Sequence, residues 1–420
     1  MTTKAAGSLR ILMVSDEWRP FPGGAGLCMG LFARELAERG HTVAVATAWN
    51  DDAPAVEVEG GVTVHRLREL PSRADWVSDN PARRSPTPFP DPEAVLRLRR
   101  LIGRFEPDLI PAYGWFAHSA VVALSGRDVP LVLWNHDYAN VCAMRTLYRH
   151  DREICSGPAP RKCLSCAVAG RGRVKGTIST VGVLGMRPLV RRKAAALHSV
   201  SHYVASTLER ELPAGATPSV VIENFHRQVE PGEPDAAVMA RLPTEPFILF
   251  VGTMSRVKGV EDLLAAYREL DSPPPLVLAG YRTTETPTEF PSGVTVLTDV
   301  PHPTVMAMWD RALFGVFPSK WAEPLATVVH EAMSRGRPVI GTRPGGYEDM
   351  IDDGESGFIV PASDPGALAA AMDRLASDDS LRARMGTAAG ERAESFTSEI
   401  VVPKLERFYR ETVERHRARS

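Results

Sequence analysis

Residues 317–350 read FPSKWAEPLATVVHEAMSRGRPVIGTRPGGYEDM. This stretch opens at the end of an apolar run, Leu313 to Phe317, that is typical of a buried strand. A helical pattern then begins at about Pro324, the next strand spans Pro338 to Gly341, and a Gly345-Gly346 turn follows. Strand, helix and strand in this order predict a βαβ unit of a parallel sheet, and hence an α/β fold.

Two carboxylates, Glu323 and Glu331, stand eight positions apart in this stretch. On one helix they would lie roughly 12 Å apart along the axis and within about 80° of each other. A helix N-terminus offers free backbone N–H groups and partial positive charge, which suits a diphosphate. Flanking carboxylates that accept sugar hydroxyls would complete a site for a nucleotide diphospho-sugar. The alternative is an ordinary first-turn glutamate followed by a solvated helix face.

The whole string resembles the signature of the family 4 retaining glycosyltransferases. That signature has a proline-serine strand end, Glu, seven residues, Glu-Ala-Met, Gly-x-Pro-Val-Ile and Gly-Gly, so the match covers roughly thirty residues. The resemblance implies the GT-B fold: two Rossmann-like parallel-sheet domains facing across a cleft, with a C-terminal helix returning to the N-domain. It also implies that Glu331 holds ribose hydroxyls, that Glu323 holds the donor sugar, and that the Leu325 and Ala326 amides bind the diphosphate.

Length and composition agree with an ordinary globular protein of two domains. The chain has 420 residues and a net charge of −2, which argues against a dedicated nucleic-acid binder. No apolar run reaches about 18 residues, so no membrane-spanning helix is predicted. The N-terminus goes straight into a strand without a signal-peptide pattern, and we therefore expect a cytoplasmic protein.

Strand-like and helix-like runs alternate along the chain and predict three segments. The first is an N-terminal acceptor-side domain, 1–227; the second is a C-terminal donor domain, 228–398; the third is an amphipathic helix, 399–420, packing back on the first. Two stretches break the alternation: a predicted mobile loop, Pro71 to Pro92, and a cysteine-bearing insertion, 137–175, predicted to be irregular. The predicted elements of the first domain include a helix Pro92–Phe105, a helix Val183–Ala196 and a strand Tyr203–Ala205.

A glycine loop, Pro20-Phe21-Pro22-Gly23-Gly24, joins the first strand to the first helix. Glycine lets the backbone approach an anion, and the helix N-terminus attracts it. A plain glycine turn is the alternative. The loop stands where the family has its own glycine loop, which implies that Gly23 and Gly24 contact the donor.

A cationic turn, Gly252 to Gly259, follows the first strand of the second domain. Lys258 would hold the diphosphate as a point charge near the leaving group. The family usually has Arg directly after the first glycine of this turn, but this chain has Thr253 there. Arg256 either supplies the missing charge from the same turn or is an exposed surface residue.

His136 ends a strand-like run in the first domain. Members of the family have a histidine here that contacts the donor sugar near the reacting carbon. We therefore predict Glu323, His136 and Lys258 as the catalytic residues. A histidine at a strand end is otherwise often a satisfied polar residue.

Four of the five cysteines lie in the insertion: Cys142, Cys155, Cys163 and Cys166. Cys163 and Cys166 form Cys-x-x-Cys, a spacing that suits one tetrahedral metal. The four are either a structural zinc site or free thiols. Four thiolates leave no open position, which argues against a catalytic zinc. Cys28 is predicted to be a core residue.

These observations predict a retaining glycosyltransferase. Its donor would be a UDP- or GDP-type sugar, and its acceptor a hydroxyl of a glycan, a lipid-linked sugar or a small natural product. No Asp-x-Asp motif occurs, so no obligatory catalytic metal is expected. Basic runs near Arg171 and Arg187 predict at most peripheral membrane contact. The alternatives are a nucleotide-sugar 2-epimerase on the same fold and an inactive nucleotide-sugar binding protein.

Overall fold

The computed structural model of the chain describes residues 7–19, 23–70, 86–212, 217–226 and 232–419. The chain divides into two compact units. The first comprises the described residues of Met1–His150, Cys155–Glu223 and Ser398–Ser420, and the second comprises those of Asp151–Ile154 and Asn224–Thr397. Of the predicted loop Pro71–Pro92, residues 71–85 lie outside the described part.

The first unit is built on an eight-stranded sheet of order β10-β9-β6-β5-β1-β2-β4-β3. Neighbouring strands are parallel, except that β3 is antiparallel to β4. Its inner strands are buried along almost their whole length, as expected when helices cover both faces of a parallel sheet. The short strands β7 and β8 lie outside this sheet. The strands up to residue 221 are β1 (Arg10–Ser15), β2 (Thr42–Ala48), β3 (Val56–Glu59), β4 (Val62–Leu67), β5 (Ile110–Tyr113), β6 (Leu131–Asn135), β7 (Tyr148–Arg149), β8 (Glu153–Ile154), β9 (Ala194–Ser199) and β10 (Ser219–Val221).

Six helices of the first unit lie between these strands. Local sequence signals place some of them directly: the Asp91 side chain accepts a hydrogen bond from the Ala94 amide, and Pro92 occupies the first turn. The predicted helix Pro92–Phe105 is therefore confirmed at both ends. The helices are α1 (Gly24–Glu38), α2 (Pro92–Phe105), α3 (Phe116–Ala123), α4 (Pro160–Arg171), α5 (Arg173–Lys193) and α6 (His202–Glu211).

The structure corrects three predictions in residues 137–211. The insertion is not irregular throughout, because α4 and the start of α5 occupy its second half. The predicted helix Val183–Ala196 ends at Lys193, where the alanine-rich β9 pairs with β6 and β10 despite its helix propensity. The predicted strand Tyr203–Ala205 lies within α6, whose N-cap Ser201 accepts a hydrogen bond from the Val204 amide.

The second unit contains a six-stranded parallel sheet of order β13-β12-β11-β14-β15-β16. This is the usual order of a dinucleotide-binding sheet, and the direction of winding reverses between β11 and β14. The strands are β11 (Phe247–Val251), β12 (Leu276–Gly280), β13 (Val294–Thr298), β14 (Ala312–Phe317), β15 (Val339–Arg343) and β16 (Gly357–Pro361). The helices are α7 (Ala236–Met239), α8 (Val260–Glu269), α9 (His302–Arg311), α10 (Thr327–Ser334), α11 (Tyr347–Met350), α12 (Pro365–Ser377) and α13 (Asp379–Ala393), with short 3-10 turns at Arg256–Lys258 and Glu394–Phe396.

The C-terminal helix, α14 (Ser398–Arg417), belongs to the first unit. One of its faces is apolar and buried, and polar contacts fix its orientation. Glu406 contacts the ring of His41 at 2.8 Å, and Arg417 donates to Asp108 at 2.9 Å. Helix 398–417 therefore returns to the N-terminal sheet, as the GT-B expectation requires.

Candidate functional site

The strand order of the second unit brings Lys258 and Glu323 together. Ligands of open α/β sheets bind beyond the carboxyl ends of strands where the winding reverses, and here that point lies between β11 and β14. Lys258 ends the 3-10 turn after β11, and Glu323 follows β14 by six residues. The Lys258 Nζ lies 2.6 Å from Glu323 Oε2, although 65 residues separate the two in sequence.

Three donors converge on one oxygen of Glu323. Besides Lys258, the Ser319 hydroxyl donates to Oε2 at 3.1 Å and the Trp321 indole donates to it at 2.9 Å. The Ser319 hydroxyl also contacts the hydroxyl of Tyr347 at 2.9 Å. Within the described residues no hydrogen bond uses Glu323 Oε1. The carboxylate is thus fixed through Oε2, and Oε1 remains available as an acceptor.

The helix after Glu323 begins later than the sequence predicts. The predicted start was Pro324, but α10 begins at Thr327, with Ala326 as its N-cap residue. Glu323 and Glu331 therefore do not share one helix, and the axial distance calculated for them does not apply. Among the described residues, the amides of Leu325 and Ala326 donate no hydrogen bond. They remain available to an anion just before the helix N-terminus.

Two glycines allow the backbone to pack closely around this segment. Gly259 has φ +72°, and a Cβ there would lie 1.8 Å from the carbonyl oxygen of Pro318. A Cβ on Gly346 would lie 1.9 Å from the carbonyl oxygen of Pro324, and the Gly346 amide donates to the Glu323 carbonyl at 2.6 Å. The Gly345-Gly346 turn therefore supports the backbone of Glu323 directly.

Glu331 lies on α10 and is buried, with a side-chain exposure of 7%. Its Oε1 contacts the ring nitrogen Nε2 of His302, the first residue of α9, at 3.2 Å. A buried carboxylate requires such a partner. Glu331 belongs to the sequence motif, whereas His302 carries no local motif that would identify it from the sequence.

Arg256 lies at the start of the cationic turn, and its side chain is 50% exposed. Its guanidinium approaches Glu261 at 3.9 Å, and its backbone amide donates a hydrogen bond to the Glu285 carboxylate at 3.3 Å. In the described part of the chain no hydrogen bond or ion pair joins it to Lys258 or Glu323. The structure brings Lys258, but not Arg256, to the carboxylate.

In the first unit, Gly23 is the N-cap residue of α1 and Gly24 is its first residue. Pro20, Phe21 and Pro22 of the same predicted loop lie outside the described residues. Among the described residues, a Cβ on Gly24 would meet no atom within 4 Å, whereas a Cβ on Gly23 would lie 1.9 Å from a carboxylate oxygen of Glu17. The Glu17 carboxylate therefore lies beside the N-terminus of α1, where a helix attracts negative charge.

His136 follows β6 and is buried between aromatic rings. Its ring lies 5.6 Å from that of Tyr113 and 5.0 Å from that of Trp134, centroid to centroid. Burial, aided by the neighbouring His198, lowers the pKa of His136 to about 3. The imidazole is therefore neutral near pH 7, and its Nε2 has no hydrogen-bond partner among the described residues.

A buried polar network lies next to His136 and was not predicted from the sequence. Asp16, directly after β1, accepts the amides of Trp115 and Phe116 at 3.0 and 2.6 Å and the Arg145 guanidinium at 2.8 Å. Arg145 also donates to Asp137 at 2.7 Å. Burial raises the pKa of Asp16 to about 6 despite these donors. The sequence signal for this network was the position of two residues, because Asp16 and Asp137 each follow a strand of one parallel sheet.

Cys142, Cys155, Cys163 and Cys166 line one small cavity in the first unit. Burial raises the pKa of Cys142 to about 11 and also raises the pKa of Cys163. In the described residues no three His, Cys, Asp or Glu side chains are already arranged to hold a metal ion. Cys28 is buried in α1, as predicted.

No helix among the described residues is both long and apolar enough to cross a membrane.

Comparison with known families accounts for most of the chain. The model of the glycosyl transferases group 1 matches residues 235–392, and that of a glycosyl transferase 4-like domain matches residues 23–225. A curated relative, the D-inositol 3-phosphate glycosyltransferase of Corynebacterium diphtheriae, is 25% identical over 96% of this chain and 94% of its own.

Two solved structures share the fold along nearly the whole chain. The sucrose-phosphate synthase of Thermosynechococcus elongatus has a TM-score of 0.71 and 20% identity, with 96% of this chain and 98% of that chain covered. HepE of Anabaena, solved in complex with UDP-glucose, has a TM-score of 0.64 and 16% identity, with coverage of 96% and 99%. The chain has the GT-B fold and belongs to the family 4 glycosyltransferases.

Proposed function

We propose that this glycosyltransferase is a retaining enzyme whose donor is a UDP- or GDP-type sugar. Its acceptor would be a hydroxyl of a glycan, a lipid-linked sugar or a small natural product. The family match supports sugar transfer, and the HepE structure contains UDP-glucose. The donor class and the retaining stereochemistry rest on the family resemblance, and the residues of the second unit support a site for a nucleotide diphospho-sugar.

The arrangement of Glu323 carries the proposal. Its Oε2 is occupied by Lys258, Ser319 and Trp321, whereas Oε1 makes no hydrogen bond within the described residues. A carboxylate fixed in this way can accept sugar hydroxyls without reorganising, which favours a preorganised site. We assign Oε1 to hydroxyls of the donor sugar.

Lys258 and two amides would stabilise the departing diphosphate. An ammonium has three N–H donors, so Lys258 can keep its contact with Glu323 while it contacts a phosphate oxygen. The amides of Leu325 and Ala326, which follow Glu323 and Pro324 in the chain, donate no hydrogen bond in the described structure. Preorganised donors at developing negative charge usually provide the largest catalytic contribution. Because these charges are part of the protein, we expect no obligatory catalytic metal.

Glu331 is assigned to the ribose hydroxyls. The contact with His302 holds one of its oxygens at 3.2 Å, and no hydrogen bond among the described residues uses the other. In the first unit, the family resemblance assigns Gly23 and Gly24 to the diphosphate and His136 to the donor sugar. His136 is neutral, and its unpartnered Nε2 could form a hydrogen bond with a sugar hydroxyl.

The proposed reaction breaks the bond between the anomeric carbon and the phosphate oxygen, and the electron pair leaves with the phosphate. The acceptor oxygen bonds to the anomeric carbon on the same face. The acceptor's proton passes to the departing phosphate oxygen. Retention of configuration follows because attack and departure share one face.

A donor screen tests the proposal. Each of a panel of UDP-, GDP-, ADP- and TDP-sugars is added to the full-length protein, and the Tm is measured. Ligand binding to the native state should raise the Tm with one or more UDP- or GDP-sugars, and Glu331→Ala should reduce the shift. A panel that leaves the Tm unchanged, or a response to ADP- or TDP-sugars only, would contradict the proposed donor class.

A further inference from the structure

Four cysteines of the insertion line one cavity of the first unit. Cys142 follows β6 by seven residues, Cys155 lies thirteen residues further on, and Cys163 and Cys166 lie on α4. Residues three apart on a helix share a face, so both α4 thiols can point toward the same space. The cavity that all four line has a volume of about 20 Å³.

Two of these sulfurs make hydrogen bonds to the backbone. Cys163 accepts a hydrogen bond from the amide of Ala159, the N-cap residue of α4, at 3.3 Å. The Cys155 thiol donates to the Gly157 carbonyl at 3.4 Å. An N–H donor aimed at sulfur favours the charged thiolate, which is the form of cysteine that binds metals.

The size and chemistry of the cavity select the ligand. A volume of about 20 Å³ is close to that of a single water-sized sphere, so the space suits one ion. Thiolate sulfur favours zinc over magnesium or calcium, and four sulfurs give the closed tetrahedral set of a structural zinc.

We propose that Cys142, Cys155, Cys163 and Cys166 bind one structural zinc ion in this cavity. Because the thiols are not already gathered at metal-ligand positions, binding draws the four sulfurs inward, and each ligand thiol releases its proton to solvent. The ion then ties the segment after β6 to α4. That segment includes Asp137 and Arg145, whose ion pair lies next to His136. The zinc therefore acts as a clamp on the insertion, and this proposal does not depend on the proposed donor.

Metal content of the full-length protein provides the test. After reconstitution with zinc under reducing conditions and desalting, elemental analysis should give about one equivalent in the wild type. Cys163→Ser and Cys142→Ser should retain well under half of that. Cys28→Ala is the matched control, because Cys28 lies in α1 and does not line the cavity, and it should keep the full equivalent.

Two measurements on the wild type keep the test decisive where a serine variant does not fold. Replacement of zinc by Co(II) should give the intense visible absorption of tetrahedral thiolate ligation. Titration with an organomercurial should release the zinc as the thiols react. A metal-free protein after reconstitution, or a disulfide among the four cysteines in mass spectra of the untreated protein, would overturn the proposal.

Discussion

Substitution of Glu323 by glutamine isolates the role of its free carboxylate oxygen. The amide of glutamine has nearly the shape of the carboxylate, and its single oxygen can take the place of Oε2 beside Lys258, Ser319 and Trp321. The NH₂ group then replaces Oε1, so a donor replaces the acceptor that we assign to the sugar hydroxyl. The variant should fold but bind the transition state less well.

The structure sets the expected magnitude for Glu323→Gln. Glu323 is largely buried, with 8% side-chain exposure, and a hydrogen bond to such a charged group contributes about 1.5–3 kcal/mol. A loss of that size lowers kcat/KM by about ten- to a hundred-fold. The loss of one neutralising charge beside Lys258 adds to the effect, but the ammonium is 27% exposed, so water screens part of it.

The assay is kcat/KM for the donor that the thermal screen identifies, measured together with the Tm. Glu355→Gln serves as the control, because it removes the same charge from an exposed position of the same unit. Near wild-type kcat/KM in a folded Glu323→Gln protein would refute the assignment of Oε1 to the donor sugar. An equal loss in Glu355→Gln would show that charge alone, and not the position, matters.

Three further predictions follow from particular contacts. Glu331→Ala should weaken the binding of UDP or GDP by about ten- to a hundred-fold in calorimetry, because it removes a buried charged acceptor; unchanged affinity in a folded protein would sink the ribose assignment. Gly346→Ala should cost about 1–3 kcal/mol of stability and lower activity, because its Cβ would meet the Pro324 carbonyl at 1.9 Å, whereas Gly366→Ala, which meets nothing closer than 3.7 Å, should change the Tm little. Burial raises the pKa of Asp16 to about 6. Its contribution to the free energy of unfolding is therefore fully present below about pH 4 and falls by about 2–3 kcal/mol as the pH rises past 6. Wild type should lose Tm relative to Asp16→Asn over that range, and parallel Tm profiles of the two proteins would contradict the burial argument.

The sequence predicted the parts of the fold that local signals determine. The strands of the second unit are apolar runs bounded by glycine or proline, and the predicted strands Leu313–Phe317 and Pro338–Gly341 are confirmed within two residues as β14 and β15. Helix α2 was predicted with its observed bounds, and Asp91 and Pro92 mark its start chemically. Glu323 and Lys258 were identified because the motif around each follows a strand.

What the sequence did not predict depends on distant contacts. The start of α10 was placed three residues early because Leu325, Val328 and Val329 fit a helix, yet the packing of Gly346 against Pro324 holds the preceding residues out of it. Arg145 reaches Asp16 across 129 positions, and no local pattern encodes that pair. Long-range geometry of this kind also supplied His302 as the partner of Glu331.

The anomeric configuration of the product tests the central claim most directly. The full-length enzyme is given an α-linked nucleotide sugar and its acceptor in excess EDTA, and the anomeric proton coupling of the isolated product is measured by NMR. A retaining site that stabilises the diphosphate through Lys258 and backbone amides predicts an α-linked product, formed without added metal. A β-linked product would contradict retention, and turnover that appears only after magnesium is added would contradict the role given to these fixed protein charges.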